Sequence, residues 1–288
     1  MTLDPRLNAF RPDLADVRLE GQVQAARFVA GERRRIVAPV AAVRRVPRAD
    51  AAIDSEALLG ETIRVFETTA EGWSWVQLEA DGYVGFIAAE AIGPVDPEPT
   101  HHVTALRTFV YPAADMKLPP VATLSIGSRL ALGEKAETRG TPYFRLADGS
   151  GAVVARHVAP VDAPPEADFV AVAERFLETP YLWGGRSAFG IDCSGLVQAA
   201  LAATGYAAPR DSDQQAATLG EPVEGGLAGD LAHGDLVFWK GHVGILRDAG
   251  TLLHASGYHM AVVEEPLAEA LARYAGLGVV STGVRRIA

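Results

Sequence analysis

Gly190-Ile191-Asp192-Cys193-Ser194-Gly195-Leu196-Val197 is the stretch around which the chain is organised, and it holds the only cysteine among 288 residues. After it, Leu196, Val197, Ala200 and Leu201 recur at helical spacing up to Gly205, a residue type suited to the position just past a helix end. The spacing therefore puts Cys193 in the first turn of a helix. Unpaired backbone N–H groups and the helix dipole there favour a thiolate, which is the nucleophilic form of the side chain. The alternative is a small buried thiol used as core filler.

Two histidines downstream give the thiol a context. His242 lies in Gly241-His242-Val243-Gly244-Ile245-Leu246 and His254 in Thr251-Leu252-Leu253-His254-Ala255-Ser256, both short apolar runs that read as strands. The first imidazole can take the thiol proton and the second can hold the first in its useful tautomer. A nucleophile, a base and an orienting group, brought together by the fold, make an activated nucleophile. A single strand histidine is more often a satisfied, partly buried residue, but two in successive strands after a helix-start cysteine form a pattern.

Read together, Asp192-Cys193-Ser194-Gly195-Leu196-Val197, Gly234-Asp235-Leu236-Val237-Phe238-Trp239, Gly241-His242-Val243-Gly244-Ile245 and Leu253-His254-Ala255 resemble the signature of NlpC-type (NlpC/p60) papain-like cysteine peptidases. The resemblance covers residues 165–288 and implies a peptidase of bacterial cell-wall peptides. It makes Cys193, His242 and His254 the catalytic residues. It also matches Tyr181 to a tyrosine whose hydroxyl assists the backbone N–H of Cys193 in meeting the oxyanion, although an aromatic packed beside the loop is the plain alternative.

The rest of the chain sets the frame. A formal net charge of −10 argues against nucleic acid and against long-range attraction to anionic membranes. With one cysteine there is no intrachain disulfide, and without a Cys-x-x-Cys or tight His/Cys cluster no metal or cofactor is expected. Residues 1–13 alternate charges and prolines with single apolar residues, and no stretch approaches spanning length, so neither a signal peptide nor a membrane span is read and a cytoplasmic location is expected.

Residues 1–35 read as a lead-in, with one short helix or strand over Val23–Val29 and, at Arg33-Arg34-Arg35, a solvated edge. Over residues 36–95, β-prone runs (Ile36–Val46, Glu61–Glu67, Trp73–Leu78, Tyr83–Ala88) are broken by Glu71-Gly72 and Asp81-Gly82, which suits a small all-β barrel. A proline-rich hinge over 93–99 separates it from a second such module over 100–160. Ala80-Asp81-Gly82 recurs as Ala147-Asp148-Gly149, and Gly60 and Gly127 keep the same offset, 67 positions. Two copies of one barrel are expected, and upstream of an NlpC-type segment both resemble bacterial SH3-like domains. From 165 onward, helices come first and antiparallel strands later, which is the α+β order.

The resemblance also implies a substrate. Relatives with SH3-like domains before the peptidase cut γ-D-glutamyl-L-diamino acid bonds in murein peptides that begin with a free L-Ala amine. Asp211 and Ser212 match the substrate-contacting pair, Asp192 and Ser194 flank the nucleophile, and Glu61 and Tyr83 of the first module correspond to residues that meet the amine. From the residues alone, Glu61 reads equally as a solvated strand-end carboxylate, Tyr83 as core and Asp192 as a helix cap. Arg210 can pair with Asp211 or with a substrate carboxylate. Three rivals stay open: an exported hydrolase of intact wall anchored by its SH3-like modules, a catalytically idle peptide binder, and an acyltransferase. Oligomeric state is not readable.

Overall fold

The computed structural model describes residues 3–287, which divide into two compact units, one ending at Ala163 and the other starting at Pro164. No helix among the described residues is long and apolar enough to cross a membrane.

The first unit is almost entirely antiparallel sheet. Its larger sheet has seven strands in the order Ile53–Leu58, Val40–Arg44, Val84–Ala88, Trp73–Leu78, Thr62–Thr68, Glu32–Ile36 and Ile92–Gly93. The expected long run Ile36–Val46 is divided, because Pro39 offers no N–H to a ladder and the chain changes neighbours there. The expected solvated edge holds for the Arg33 and Arg34 side chains, which reach solvent, but not for Arg35, which has strands on both sides and is buried with its guanidinium on Glu98 at 2.8 Å. The lead-in belongs to the same body: Ala9 and Leu14 pack with Phe66, Trp75 and Phe86, and the Arg11 guanidinium lies 4.3 Å over the Trp75 ring. Of Val23–Val29 only Phe28–Val29 is a strand, paired in parallel with Ala15–Asp16.

The second module divides into a five-stranded and a three-stranded sheet that share one core, Val103, Val110, Leu124, Leu130, Leu132, Val153 and Val158. No sheet among the described residues closes on itself, so the barrels expected from the sequence are open sheets. The repeat is nonetheless visible in the backbone. Gly60 and Gly127 have φ of +81° and +86°, and Gly82 and Gly149 have +77° and +75°, left-handed values that glycine adopts without strain.

The second unit is mixed α/β. Six strands run in the order Glu221–Pro222, Ser281–Arg286, Leu236–Trp239, His242–Asp248, Thr251–Ser256 and Ala261–Pro266. Four helices accompany them: α1 (Phe169–Glu174), α2 (Cys193–Ala203), α3 (Ser212–Thr218) and α4 (Leu267–Gly276). Helix α2 is buried along most of its length, against the strands His242–Asp248 and Thr251–Ser256. That contact is what brings the cysteine to the histidines.

Candidate active site

Cys193 is the first residue of α2, and Asp192 caps it: the Asp192 carboxylate accepts the Gly195 N–H at 2.7 Å. Gly195 has a second task. A side chain there would stand 2.2 Å from the Gly185 carbonyl oxygen, so only glycine lets the preceding loop lie against the helix start. Asp192 also accepts the Gly184 N–H at 2.9 Å and a two-pronged bond from Arg210, at 3.0 and 2.7 Å. The same guanidinium donates to Ser194 Oγ at 3.0 Å and to the Gly185 carbonyl at 3.2 Å. Arg210, 1% exposed, is therefore held by Asp192, a partner other than the Asp211 or substrate carboxylate that the sequence offered.

Burial opposes the thiolate that the helix start favours. Burial, with Cys193 only 6% exposed, pushes the thiol up to about 12, and the neighbouring Asp192 charge adds to it. The N–H groups of Val243 and Ser194 and the Arg210 charge act the other way without prevailing. Desolvating an anion costs more than a helix terminus returns. The Val243 N–H also shows where the sulfur sits: beside the residue that follows His242.

His242 and His254 are both buried, at 8% and 0% exposure, and their rings meet through Nε2 of His242 and Nδ1 of His254 at 2.8 Å. The pleat explains this. Ile245 pairs with Leu253 in the ladder, so His242 lies diagonally from His254 on one sheet face. Leu252 pairs with Glu265, which puts Glu265 on the opposite diagonal, and its Oε1 stands 2.7 Å from His254 Nε2. Arg273 of α4 donates to both oxygens of that carboxylate, through Nη1 to Oε2 at 2.7 Å and through Nη2 to Oε1. Tyr274, the next residue, stacks on His242 with ring centroids 5.3 Å apart, and Trp239 lies 5.6 Å away on the same imidazole.

Burial holds His242 down to about 3, helped by the neighbouring His254 and Arg273, and burial likewise lowers His254. Burial alone would raise Glu265, but the hydrogen bonds from His254 and Arg273 overcome it and hold the carboxyl at about 2. Both imidazoles are thus neutral in the folded chain, while an unfolded one binds protons below about pH 6.5. Stability from this pair is complete above that value and is lost as pH falls toward 3, at about 1.4 kcal/mol per pH unit for His242. The thermal midpoint should be clearly lower at pH 4.5 than at pH 7.5, and equal midpoints would contradict the neutral pair.

Tyr181 is half-buried before the cysteine loop, anchored by its N–H on the Met260 carbonyl at 2.9 Å. Burial first, then the nearby Cys193, raises its phenol well above the ordinary range, so it stays a donor close to the sulfur. Asp211 caps α3 in a reciprocal box with Gln214, and Ser212 is the first residue of that helix, both half-buried. Gln215 ties α3 to the nucleophile's helix through the Ser194 carbonyl at 2.9 Å. Ser194 and Asp192 are engaged in the Arg210 network, so any substrate contact by either is made from atoms already in these bonds. In the first unit, Glu61 is buried and accepts the Leu58 N–H at 3.0 Å, which is not the solvated carboxylate of the plain reading. Tyr83 is part of the core around Ile36, Val43, Ile63 and Ile87.

Glu265, Arg273 and Tyr274 were not foreseen. No motif or period marks them; only the strand register, once known, points to Glu265. His254, His259 and Glu265 have ligand atoms within 4.8 Å of one another, but Glu265 is already held by Arg273, whose charge disfavours a cation there.

Comparison with known proteins follows the same division of the chain. The model of the NlpC/P60 family matches residues 178–279, and that of the bacterial dipeptidyl-peptidase SH3 domain matches residues 43–92. A γ-D-glutamyl-L-lysine dipeptidyl-peptidase of Bacillus subtilis (strain 168) is 30% identical over 72% of this chain and 73% of its own. Dipeptidyl-peptidase 6 of Lysinibacillus sphaericus is 27% identical over 77% of this chain and 86% of its own. The crystal structure of an NlpC/P60 family protein from Bacillus cereus ATCC 10987 shares the fold, with a TM-score of 0.73 at 22% identity, covering 88% of this chain and 99% of that one.

Proposed function

The chain belongs to the NlpC/P60 family of cysteine peptidases, and from that premise we propose that it hydrolyses the γ-D-glutamyl-L-diamino acid bond of murein peptides bearing a free N-terminal L-Ala. The observation that carries the chemistry is the buried His242–His254–Glu265 chain, with ring and carboxylate contacts of 2.8 and 2.7 Å, next to a helix-start thiol that meets the N–H of Val243, the residue after His242. The bond is supported by the Bacillus subtilis relative, whose name specifies γ-D-glutamyl-L-lysine.

Because thiol and imidazole rest neutral, attack and proton transfer go together. Cys193 Sγ adds to the γ-carbonyl carbon while His242 accepts the thiol proton, and the oxyanion is met by the Cys193 N–H and the Tyr181 phenol. At a helix start such an N–H has no intrahelical acceptor. His242 then gives its proton to the leaving amine as the C–N bond breaks, leaving a thioester. Water, deprotonated by the same ring, cleaves the thioester and restores the thiol.

We read both modules of the first unit as SH3-like copies, the first on its family match over 43–92 and the second on the repeated glycine conformations 67 positions on. Glu61 and Tyr83 stay assigned to the substrate amine, and Asp211 and Ser212 to the peptide, on family resemblance. In intact wall that amine is tied up in an amide, so an enzyme requiring it acts on released peptides, and recycling in the cytoplasm is the setting we propose.

The test is a pair of substrates, L-Ala-γ-D-Glu-meso-diaminopimelate and its N-acetylated form. Diaminopimelate should be released from the first and at least about tenfold more slowly from the second, the cost of one charge-assisted contact. Equal rates would remove the free-amine requirement, and cleavage of polymer would favour the wall-hydrolase reading.

A further inference from the structure

We propose that Glu265, backed by Arg273, is a positioning residue that dictates which nitrogen of each histidine carries the proton, and so makes His242 a base. The inference rests on the reading of Cys193 and His242 as the reacting pair.

An ionised carboxylate only accepts hydrogen bonds. Glu265 Oε1 stands 2.7 Å from His254 Nε2, so that nitrogen holds the His254 proton and donates it. A neutral His254 then has its lone pair on Nδ1, and the 2.8 Å contact to His242 Nε2 makes the latter the donor. The proton of neutral His242 is thereby assigned to Nε2, and its lone pair falls on Nδ1, the nitrogen left for the thiol. One acceptor at the far end orders the whole line. When the thiol proton arrives on Nδ1, the imidazolium keeps Nε2–H on His254, and no proton passes to Glu265; the carboxylate offsets the new positive charge through one intervening ring.

Arg273 gives the arrangement its direction. It donates to both carboxylate oxygens, sharing Oε1 with His254, and keeps the group ionised. Helix α4 thus addresses the reacting pair twice, through Arg273 on Glu265 and through Tyr274 stacked on His242. Of the other titratable groups, His259 in the hairpin beyond His254 faces that imidazole, and Tyr274 on His242 in turn feels the Cys193 sulfur, as does Tyr181 in the loop before that cysteine.

Glu265→Gln discriminates sharply. The amide has one acceptor oxygen where the carboxylate has two, so it cannot accept from His254 Nε2 and from both Arg273 nitrogens; with its oxygen on Arg273 Nη1 at the Oε2 position, its NH2 stands toward His254 Nε2. That nitrogen becomes an acceptor, the proton order reverses along the line, and His242 Nδ1 acquires a hydrogen where a lone pair is needed. Two readouts follow it: kcat and KM for the free-amine peptide, and the rate of Cys193 alkylation by iodoacetamide across pH 5–9, which is unambiguous because the chain has one cysteine. We expect kcat to fall by roughly a hundredfold or more with KM within about threefold; reversing the tautomer in a serine triad costs about 10⁴. Alkylation at pH 7 should slow in parallel, and what assisted reaction remains should have its acid limb displaced to lower pH, since the carboxylate charge has gone.

The double variant Glu265→Gln with Arg273→Met frees the amide to turn its oxygen to His254, and should recover at least about tenfold of the loss in both readouts. Arg273→Met alone keeps the carboxylate and should fall between wild type and Glu265→Gln. A merely structural role would make the double variant worse than either single one. Wild-type behaviour of Glu265→Gln, or no recovery in the double variant, overturns the proposal. If Glu265→Gln does not fold, Arg273→Met decides, since a loss there as large as removal of His254 would also overturn it. Should the wild-type chain leave the peptide uncut, the substrate reading fails while alkylation still judges Glu265.

Discussion

Cys193→Ala should abolish peptide hydrolysis, by about 10⁴-fold or more, while leaving the fold intact. The sulfur is the atom that bonds to the substrate carbonyl, and no other thiol exists in the chain to replace it. Ser194 is no substitute, because its hydroxyl is committed to Arg210. The fold should tolerate the change. Alanine is a good helix former at a helix start, Asp192 still caps the Gly195 N–H, and a buried thiol packs as a small apolar group. Measured side by side, diaminopimelate release should vanish while circular dichroism and the thermal midpoint stay near those of the wild type. Retained activity in this variant would end the thioester mechanism, and with it the assignment of His242 as base.

Arg210→Met should produce the largest loss of stability, about 3–5 kcal/mol, lowering the thermal midpoint by roughly 10–20 °C. The substitution keeps much of the side chain's bulk and removes its charge. Asp192 is then left buried beside the nucleophile without a counterion, and the Gly185 carbonyl and Ser194 hydroxyl each lose a donor. The penalty is mainly that of the stranded carboxylate and not of the ion pair itself. Adding Asp192→Asn should therefore restore part of the midpoint, as expected for two groups in one network. A midpoint unchanged in Arg210→Met would show that the loop, helix start and α3 are held by packing alone.

Much of the second unit was legible before any coordinates. Asp192 followed by Cys193 and an apolar helical period announces a cap and a helix, and the glycine-flanked runs around His242 and His254 announce strands; the elements fall within a few residues of those positions. The hairpin turns at Gly72 and Gly82 were readable for the same reason, since a left-handed turn needs glycine. Other features depended on partners distant in the chain. Arg33-Arg34-Arg35 has the composition of a solvated edge, and the Arg33 and Arg34 side chains reach solvent, yet pairing with Thr62–Thr68 on one side and with Ile92–Gly93 on the other buries Arg35. Burial weighs against the thiolate that the helix position of Cys193 favours, because helix position is local and burial is not.

By itself, the order of residue types pointed to a nucleophile, its base and an orienting imidazole and determined the family to which the chain belongs, since each is marked by neighbours within a few positions along the backbone. What the tertiary structure alone decided is the charge state and connectivity of the site: Arg210 on Asp192, Glu265 and Arg273 behind His254, and a thiol held neutral. These rest on strand register and on exclusion of water, and both arise only when segments dozens of residues apart pack together.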